Sequence, residues 1–544
     1  MVFRYIFFHQ LIYLSYRRKY KNFLNFKNKL EIKQKAILAK LLGCSVGTRF
    51  ASEKNIQSID SYEKFIQELP ITTYQDYESY IDLQKKNPKS KEFLNSSCDH
   101  YQPTSGSTGK RKWIPYTKVL KEEFEQAIGP WLYKLYQNYP NIKKGKHFWS
   151  LSWMPDNLRK EQFSLDELEV FPWWQKYLMK ETMCIPKEIT LAKDNDSALF
   201  ATAVYLCCTK DLTLISVWSP LFLIQILDIL KKNVKLIAEL IEKSHWGTYQ
   251  ERLPNLTFPS VHSRNEKKRI MEILLNYNIE MGDQFFYEKL WPNLYLISCW
   301  KTGASSYYAE RCRALFPKVA FQGKGLFATE GVVTIPIDDR YELAYLSHFY
   351  EFLNLRTGEV IPSWKLAPGL IVSPIISTGS GFFRYMLNDK IIIRDLNDGI
   401  PNMHFLGRNE DCDLTGEKMS SEIAHELKNY ITQISHQSMN MISLVGVSEA
   451  HRPYYLVLLD QKNYQEFNDG DDKIDSEEFI ELLDNKLRES FHYALARDLG
   501  QLDRIKIKSE HHIYQYYQSI FLKKGMVLGD IKVEILVQVP EAYL

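Results

Sequence analysis

The chain has 544 residues, which exceeds the usual size of a single hydrophobic core, so we expect at least two domains. With 45% hydrophobic, 14% aromatic and 25% charged residues, its composition excludes the disordered and fibrous classes. A net charge of +3, from 69 Lys and Arg against 66 Asp and Glu, is too small for a phosphate-backbone footprint, so we expect no nucleic-acid partner.

The first twenty residues, MVFRYIFFHQLIYLSYRRKY, are apolar and then basic. Arg4 and His9 interrupt the apolar run, which is too short to span a bilayer and lacks a small-residue cleavage site. The pattern favours an amphipathic helix packed on the protein, with no membrane span, over attachment to a membrane. The eight cysteines contain no CxxC or zinc-like spacing, which indicates reduced thiols in a cytoplasmic protein.

Helical and strand patterns alternate along the next four hundred residues. Apolar residues recur at helical spacing from Leu30 to Leu42, with Gly43 as the expected C-cap, and a new helix is predicted near Gln75 after the extended segment 70–74. Short apolar runs predict strands at 212–218, 294–300, 359–364 and 390–396, and helical spacing predicts helices at 222–242 and 266–277. The fold class is therefore α/β, with β-sheets covered by helices.

After Gly407 the pattern changes to a smaller α+β arrangement, with helices near 420–436 and 476–495 and strands near 454–460 and 532–538. We therefore expect a large N-terminal domain over 1–407 and a small C-terminal domain over 408–544. The acidic stretch 468–472 resembles a calcium loop but lacks the glycine that an EF-hand requires, so a solvated turn is favoured.

The segment TSGSTGKRKWIP, residues 104–115, has the composition of a phosphate-binding loop. Its glycines let successive N–H groups converge on an anion, and hydroxyls and basic side chains add donors and charge. The spacing does not match a Walker A loop, which weighs against a P-loop NTPase. Alone, such a loop is more often a flexible turn.

Later segments add further groups suited to a nucleotide. Gly303 and Ala304 end a predicted strand with flat backbone for an adenine ring, and Thr329 with Glu330 offers oxygens to phosphate and magnesium; two tight strand ends are the plain alternative. Asp389 could accept both ribose hydroxyls or sit in a turn, and the segment 408–411 could be a hinge or a surface loop.

The order of these motifs along the chain and their amino-acid sequences resemble those of a known family. The motifs are ITTYQDYESYI, TSGSTGKRKWIP, SLSWMP, SVWSP, LISCW, QGKGLFATEG, FFRYMLND and FLGRNEDCDLTGEK. They resemble the Gretchen Hagen 3 family of acyl acid amido synthetases, nearer its microbial members, within the adenylate-forming superfamily of acyl-CoA synthetases, adenylation domains and luciferases. The resemblance runs from about residue 30 to the C-terminus.

The resemblance implies a fold, substrates and site residues. It implies ATP and Mg²⁺ bound between the large N-terminal domain and a small, mobile α+β C-terminal domain that turns about a hinge near 408–411. It implies a ligase that activates a small carboxylic acid as acyl-AMP and joins it to an amine, most simply an amino acid; we further expect a monomer. By matching positions, the catalytic residues would be Lys532, Thr108 and Glu330, and the nucleotide-binding residues would be Ser105, Gly106, Ser107, Thr108, Gly109, Gly303, Ala304, Ala328, Thr329, Glu330, Asp389 and Arg408. Glu330 would bind the metal.

Alternatives remain at several points of this assignment. Lys532, in GDIK, is the loosest match and could be a solvated strand lysine, and Asn388 stands where relatives commonly have Gly before the ribose Asp. Aromatic residues near strand ends, which could line an acyl pocket but are more often core, are Trp149, Trp153, Trp218, Phe222 and Trp300. The rival functions are an acyl-CoA or carrier thioester synthetase using the same adenylate and a catalytically inactive nucleotide-binding scaffold.

Overall fold

The computed structural model describes the chain apart from residues 1, 99, 106–110, 152, 154–172, 262, 278–281, 409–411, 416, 418, 436–438, 462–475, 499 and 511–512. Two compact units make up the chain. The larger comprises Met1–Pro103, Trp113–Leu387 and Ile391–Phe405, and the smaller comprises Thr104–Lys112, Asn388–Lys390 and Leu406–Leu544.

Helices occur throughout both units. Those before residue 320 are Val2–Asn25, Leu30–Ser45, Arg49–Glu53, Tyr62–Glu68, Gln75–Lys86, Lys118–Asn138, Trp173–Thr182, Asn195–Cys207, Pro220–Lys232, Val234–Lys243, Arg264–Leu275, Asp283–Leu290 and Ser306–Leu315. Those after it are Ser421–Ile434, Ser476–Leu487, Phe491–Asp498 and Ile513–Lys523.

A four-stranded parallel sheet forms one layer of the larger unit. Its strands follow chain order, Lys146–Trp149, Leu212–Ser216, Leu296–Cys299 and Ala320–Gly323. Leu212–Ser216 and Leu296–Cys299 are buried at every position, as expected for strands covered on both faces by helices. All four strands therefore end at the same edge, which is where parallel α/β sheets bind ligands.

An eight-stranded sheet forms a second layer. Its order is Val360–Pro362, Phe349–Asn354, Ile371–Ser377, Asp389–Asn397, Ile400–Arg408, Arg340–Leu343 and Thr334–Ile337, with Tyr385–Met386 paired to Ile371–Ser377. Two small ribbons complete the strands of this region, Tyr101–Ser105 with Arg111–Pro115 and Phe327–Ala328 with Gly331–Val332.

The smaller unit contains a mixed sheet of four strands. The order is Lys506–Glu510, Tyr454–Gln461, Met439–Ser448 and Leu536–Pro540, with the central pair antiparallel and both outer pairs parallel. Helix Ser421–Ile434 buries Ala424, Leu427 and Ile431, spaced by three or four residues, in the core of this unit.

The first helix, Val2–Asn25, packs on helix Lys118–Asn138. It buries Tyr5, His9, Ile12 and Tyr16, and Tyr13 stacks on Tyr133 with ring centroids 4.6 Å apart. The prediction that this segment is a helix packed on the protein is confirmed. Among the described residues, no helix is both long and apolar enough to cross a bilayer.

Several element boundaries differ from the prediction. The helix from Leu30 continues past Gly43 to Ser45, because Leu41, Leu42 and Ser45 are buried and packing overrides the weak helix preference of glycine. The predicted helix 222–242 is two helices separated at Asn233, and 476–495 is divided between Leu487 and Phe491. The last strand begins at Leu536, four residues later than expected.

Candidate active site

The carboxyl ends of the parallel strands are joined beyond the sheet by backbone hydrogen bonds. The Trp300 N–H donates to the Trp218 carbonyl at 2.9 Å, and the Lys324 N–H donates to the Cys299 carbonyl at 3.0 Å. These bonds hold the residues that follow each strand in fixed register. The residues that follow the second, third and fourth strands are therefore tied to one another, and we call this strand-end region the platform.

A buried lysine lies among tryptophans on this platform. The Lys324 ammonium donates to Ser216 Oγ at 2.9 Å and lies 4.0 Å from the Trp218 ring centroid, 5.4 Å from that of Trp131 and 5.6 Å from that of Trp149. Lys324 is only 4% exposed. We call these five residues the Lys324 cluster. It combines apolar walls with a cation, which suits a ligand that has an apolar body and a negative charge.

Other predicted aromatics have distinct places. Trp300 lies 5.5 Å from Trp218, centroid to centroid, at the edge of the cluster. Trp153 donates from its indole nitrogen to the Ala192 carbonyl at 2.6 Å, and Phe222 is a buried helix residue. Trp149, Trp218 and Trp300 therefore lie near the ends of parallel strands, as the sequence predicted.

The motif FATEGV forms a tight hairpin directly after the Lys324 cluster. Phe327 pairs with Val332 and Ala328 with Gly331, so Thr329 and Glu330 occupy the turn. Glycine is required at Gly325, where a Cβ would lie 1.9 Å from the Thr334 carbonyl oxygen. Thr329 and Glu330 therefore lie side by side in one short turn.

Two tyrosines fix this turn. Tyr116 donates its hydroxyl to the Thr329 carbonyl at 3.1 Å, and the Tyr385 hydroxyl lies 3.5 Å from Glu330 Oε1. Burial, and then the Glu330 carboxylate, raise the pKa of Tyr385 well above its usual range. The phenol therefore stays protonated and faces the carboxylate as a donor.

The sequence analysis did not predict a buried chain of hydrogen bonds behind the hairpin, from Val332 through His348 to Glu123, which we call the relay. The Val332 N–H donates to His348 Nε2 at 3.0 Å, so the neutral imidazole carries its proton on Nδ1, which lies 2.9 Å from Glu123 Oε2. The same carboxylate oxygen accepts from the Gly379 N–H at 2.8 Å. Glu123 therefore links the hairpin to the Ser377-Thr378-Gly379 turn. No motif marks Glu123, because only its burial at 5% exposure distinguishes it from neighbouring helix carboxylates.

Gly303 and Ala304 lie in a short 3₁₀ turn, Gly303–Ser305, after the third parallel strand. Gly303 has φ +60°, and a Cβ there would lie 2.9 Å from Phe405 Cε1, so both backbone conformation and close approach require glycine. The predicted strand therefore ends at Cys299, and Gly303 and Ala304 form a turn instead of the flat strand end that the sequence predicted.

Asp389 is buried and begins the strand Asp389–Asn397. The preceding Asn388 has φ +57°. Asparagine tolerates this left-handed conformation better than most non-glycine residues. The departure from glycine therefore leaves the turn before Asp389 intact.

Two further predicted residues, Arg408 and Lys532, lie in the C-terminal part of the smaller unit. Arg408 is the last residue of the strand Ile400–Arg408. Lys532 is half-buried between the 3₁₀ turn Leu528–Asp530 and the last strand. The Tyr517 hydroxyl donates to the Lys532 carbonyl and accepts from the Glu534 N–H, both at 3.1 Å, so this segment is held to helix Ile513–Lys523.

The phosphate-loop residues Gly106, Ser107, Thr108 and Gly109 lie outside the described residues, as does the acidic stretch 468–472. Ser105 is the last residue of a described strand.

The carboxylate of Glu330 is a suitable ligand for a magnesium ion. Within the described ranges, no group of three or more His, Cys, Asp and Glu is placed to share a metal. Mg²⁺ is usually bound through one or two carboxylates together with waters and substrate phosphates. Glu330, a single carboxylate on a rigid turn, is the ligand type such binding needs.

Comparison with known proteins gives the family. The GH3 family N-terminal domain matches residues 19–321, the central domain 341–408 and the C-terminal domain 422–541. The chain belongs to the GH3 family. Its likeness to GH3 structures is extensive: "GH3.15 acyl acid amido synthetase" matches at TM-score 0.73 and 14% identity, over 96% of this chain and 93% of that one.

A second solved structure, "AtGH3.15 acyl acid amido synthetase in complex with 2,4-DB", matches at TM-score 0.74 and 14% identity, over 97% of this chain and 95% of that one. At this identity the likeness shows the fold. No curated protein sequence matches the chain. The resemblance to the GH3 family and the predicted α/β fold class are confirmed.

Proposed function

We propose that this GH3 protein is an ATP-dependent acyl acid amido synthetase, a ligase that forms a C–N bond through an acyl-adenylate. The observation that carries the proposal is the match to all three GH3 domains. The hairpin turn at Thr329 and Glu330, beside the Lys324 cluster, supports it, because oxygen ligands for a nucleotide and an apolar acid site then lie next to each other in sequence.

The first half-reaction needs positioning and charge neutralisation more than a base. A carboxylate is ionised at neutral pH, and its oxygen attacks the α-phosphorus of ATP while the bond to pyrophosphate breaks. The oxygens that meet are all negative, so the protein must supply positive charge and oriented donors. Mg²⁺ would neutralise phosphate charge when bound.

Each predicted residue has a role in this step. The phosphates of ATP are held by Ser105, Gly106, Ser107, Thr108 and Gly109. The adenine site is lined by Gly303, Ala304 and Ala328. The ribose is bound by Asp389. Thr329 and Glu330 hold phosphate and metal, and Arg408 contacts the nucleotide at a hinge that turns the C-terminal domain. Lys532 stabilises the charge that develops on the α-phosphate.

The Lys324 cluster is the place for the carboxylic acid. Trp131, Trp149 and Trp218 supply apolar surface, and the ammonium attracts the carboxylate. Burial raises the pKa of the nearby Cys299 thiol to about 12, so it stays protonated and is a poor nucleophile. Direct transfer from the adenylate to an external acceptor therefore fits the site better than a cysteine-bound intermediate.

In the second half-reaction an unprotonated amine attacks the acyl carbon. The C–N bond forms, the bond from carbon to the AMP oxygen breaks, and the nitrogen loses a proton. An amino acid is the proposed acceptor, and a thiol acceptor would give a thioester from the same intermediate.

Exchange of radiolabelled pyrophosphate into ATP tests the first half-reaction. Purified protein with ATP, Mg²⁺ and a panel of carboxylic acids should show exchange that depends on one class of acid, and Glu330→Gln should abolish most of it. Exchange that is absent with every acid, although ATP binds, would contradict the proposal and favour the inactive scaffold.

A further inference from the structure

The first helix carries an apolar stripe that the protein leaves uncovered. Phe3, Phe7, Leu11 and Leu14 are 89%, 59%, 38% and 45% exposed, whereas Tyr5, His9, Ile12 and Tyr16 are buried on the opposite face. The stripe residues are three or four apart, so they share one side of the helix. The helix therefore has two apolar faces, of which only one packs on the protein.

The same outward side becomes basic in the second half of the helix. Arg17, Arg18 and Lys21 are exposed, and none of them forms an ion pair within the part of the chain that the structure describes. The helix contains no Asp or Glu, while its remaining cations, Arg4 and Lys19, pair with Glu181 and Glu125. The free surface of the helix is therefore apolar and positively charged.

The neighbouring helix Trp173–Thr182 adds aromatic residues of the kind found at membrane interfaces. It packs along the first helix, with Gln175 Nε2 donating to Ser15 Oγ at 2.9 Å, and it leaves Trp174 and Tyr177 exposed. Tryptophan and tyrosine are favoured at the headgroup level of a bilayer, where one end of the ring is apolar and the other is wet.

We propose that this surface docks the protein peripherally on an anionic lipid membrane. The stripe would enter the boundary between headgroups and acyl chains, and Arg17, Arg18 and Lys21 would lie against lipid phosphates. The helix lies in the plane of the interface, because no described helix can span a bilayer. A second copy of the chain is a poorer occupant, since two such helices would bring together cations without any acidic partner.

Flotation of the full-length protein with lipid vesicles tests this docking independently of any enzymatic activity. Vesicles of phosphatidylcholine with about one third phosphatidylglycerol should bind the wild type, and pure phosphatidylcholine should bind it more weakly. Raising the salt concentration from about 0.1 M to about 1 M should weaken binding to anionic vesicles without abolishing it, because the Debye length falls from about 10 Å to about 3 Å while the apolar contact remains.

Paired variants separate the two contributions. Phe3→Ser with Phe7→Ser should weaken binding to both kinds of vesicle at least about tenfold, since each phenylalanine loses its transfer into an apolar phase. Arg17→Glu with Arg18→Glu should weaken binding to anionic vesicles only. Phe491→Ser removes a ring that is 72% exposed elsewhere in the chain and should leave binding unchanged.

Three results would overturn the proposal. The first is that the wild type does not bind vesicles. The second is that the Phe3→Ser, Phe7→Ser variant, shown by circular dichroism to be folded, binds vesicles as strongly as the wild type. The third is that the wild type binds no vesicles but sediments as a dimer, which this variant converts to a monomer. The last result would assign the stripe to a second copy of the chain.

Discussion

Two glycines of the candidate site cannot be replaced without a clash. Gly303 and Gly325 were in motifs, and the structure gives each a steric reason, a positive φ at Gly303 and a close carbonyl at Gly325. Asn388 departs from the family pattern, and its φ of +57° is a left-handed conformation that asparagine tolerates, which motif matching alone cannot reveal. Residue identity predicts a role best where backbone conformation permits few residue types.

Lys532 is the residue most directly tied to the proposed adenylation step. Lys532→Ala should lower acid-dependent pyrophosphate exchange at least about a hundredfold, because an ammonium about 4 Å from developing charge contributes roughly 4 kcal/mol at an effective dielectric of about 20. ATP affinity measured by calorimetry should change little. Lys506→Ala, on an exposed strand of the same unit, is the control. Unaltered exchange in Lys532→Ala would remove this residue from the site.

Lys324 should determine affinity for the carboxylic acid. Lys324→Met keeps the length of the side chain but removes the charge, so the KM for the acid should rise at least about tenfold, as for loss of a hydrogen bond to a charged group. The KM for ATP should change less than about twofold. Lys318→Met, at an exposed lysine paired with Glu288, is the matched control. An unchanged KM for the acid would exclude Lys324 from acid binding.

Among the elements, sequence patterns predicted the two middle strands of the parallel sheet and several helices, but neither the two outer strands nor the connections that position the site. The strands 212–218 and 294–300 were predicted because continuous apolar runs bounded by turns have few other folds. The breaks at Asn233 and after Leu487 were missed, since helical spacing continues across them. The relay from Glu123 through His348 to Val332 joins residues 225 and 16 positions apart, and no local pattern encodes it.

Glu123 should act as a positioning residue for the Thr329 and Glu330 turn. Glu123→Gln keeps an oxygen that can accept both hydrogen bonds but removes the negative charge that strengthens them, so we expect a loss of about 1–3 kcal/mol in unfolding free energy. The KM for ATP in pyrophosphate exchange should rise several-fold in the folded variant. Glu122→Gln changes the adjacent exposed carboxylate and should leave both quantities unchanged. A stability loss with an unchanged KM for ATP would limit Glu123 to a structural role.

At the scale of the whole molecule, the three GH3 domains account for nearly the entire chain after residue 18. The first helix precedes most of that match, and its inner face is attached through a polar core. His9 donates from Nε2 to the Gly145 carbonyl at 2.9 Å and lies 2.9 Å through Nδ1 from the Tyr136 hydroxyl, and its ring stacks on His147 at 4.1 Å. Two stacked, buried histidines must both remain uncharged in the folded protein.

Acid should therefore loosen this attachment. Burial, followed by the charge of Lys143, lowers the pKa of His9 from 6.5 to about 4, and burial lowers the pKa of His147 well below its usual range. Between these pKa values the unfolded chain binds protons at histidines that stay neutral in the folded protein. The free energy of unfolding should therefore fall as pH decreases from about 6.5 towards about 4, by about 3 kcal/mol from His9 alone.

Thermal unfolding at about pH 7 and about pH 5 checks this prediction. His9→Gln should reduce the drop in melting temperature between the two conditions, and His451→Gln, at an exposed histidine, should not. An equal drop in the wild type and His9→Gln would contradict the assignment of acid sensitivity to this pair.

In the proposed reaction the acyl group passes from an adenylate to an amine. The most direct test incubates the protein with ATP, Mg²⁺ and a mixed set of carboxylic acids, adding either the amino acids or coenzyme A, and identifies condensed products by mass spectrometry. We expect AMP and an amide with amino acids, and no thioester with coenzyme A. A thioester without any amide would contradict the proposed reaction.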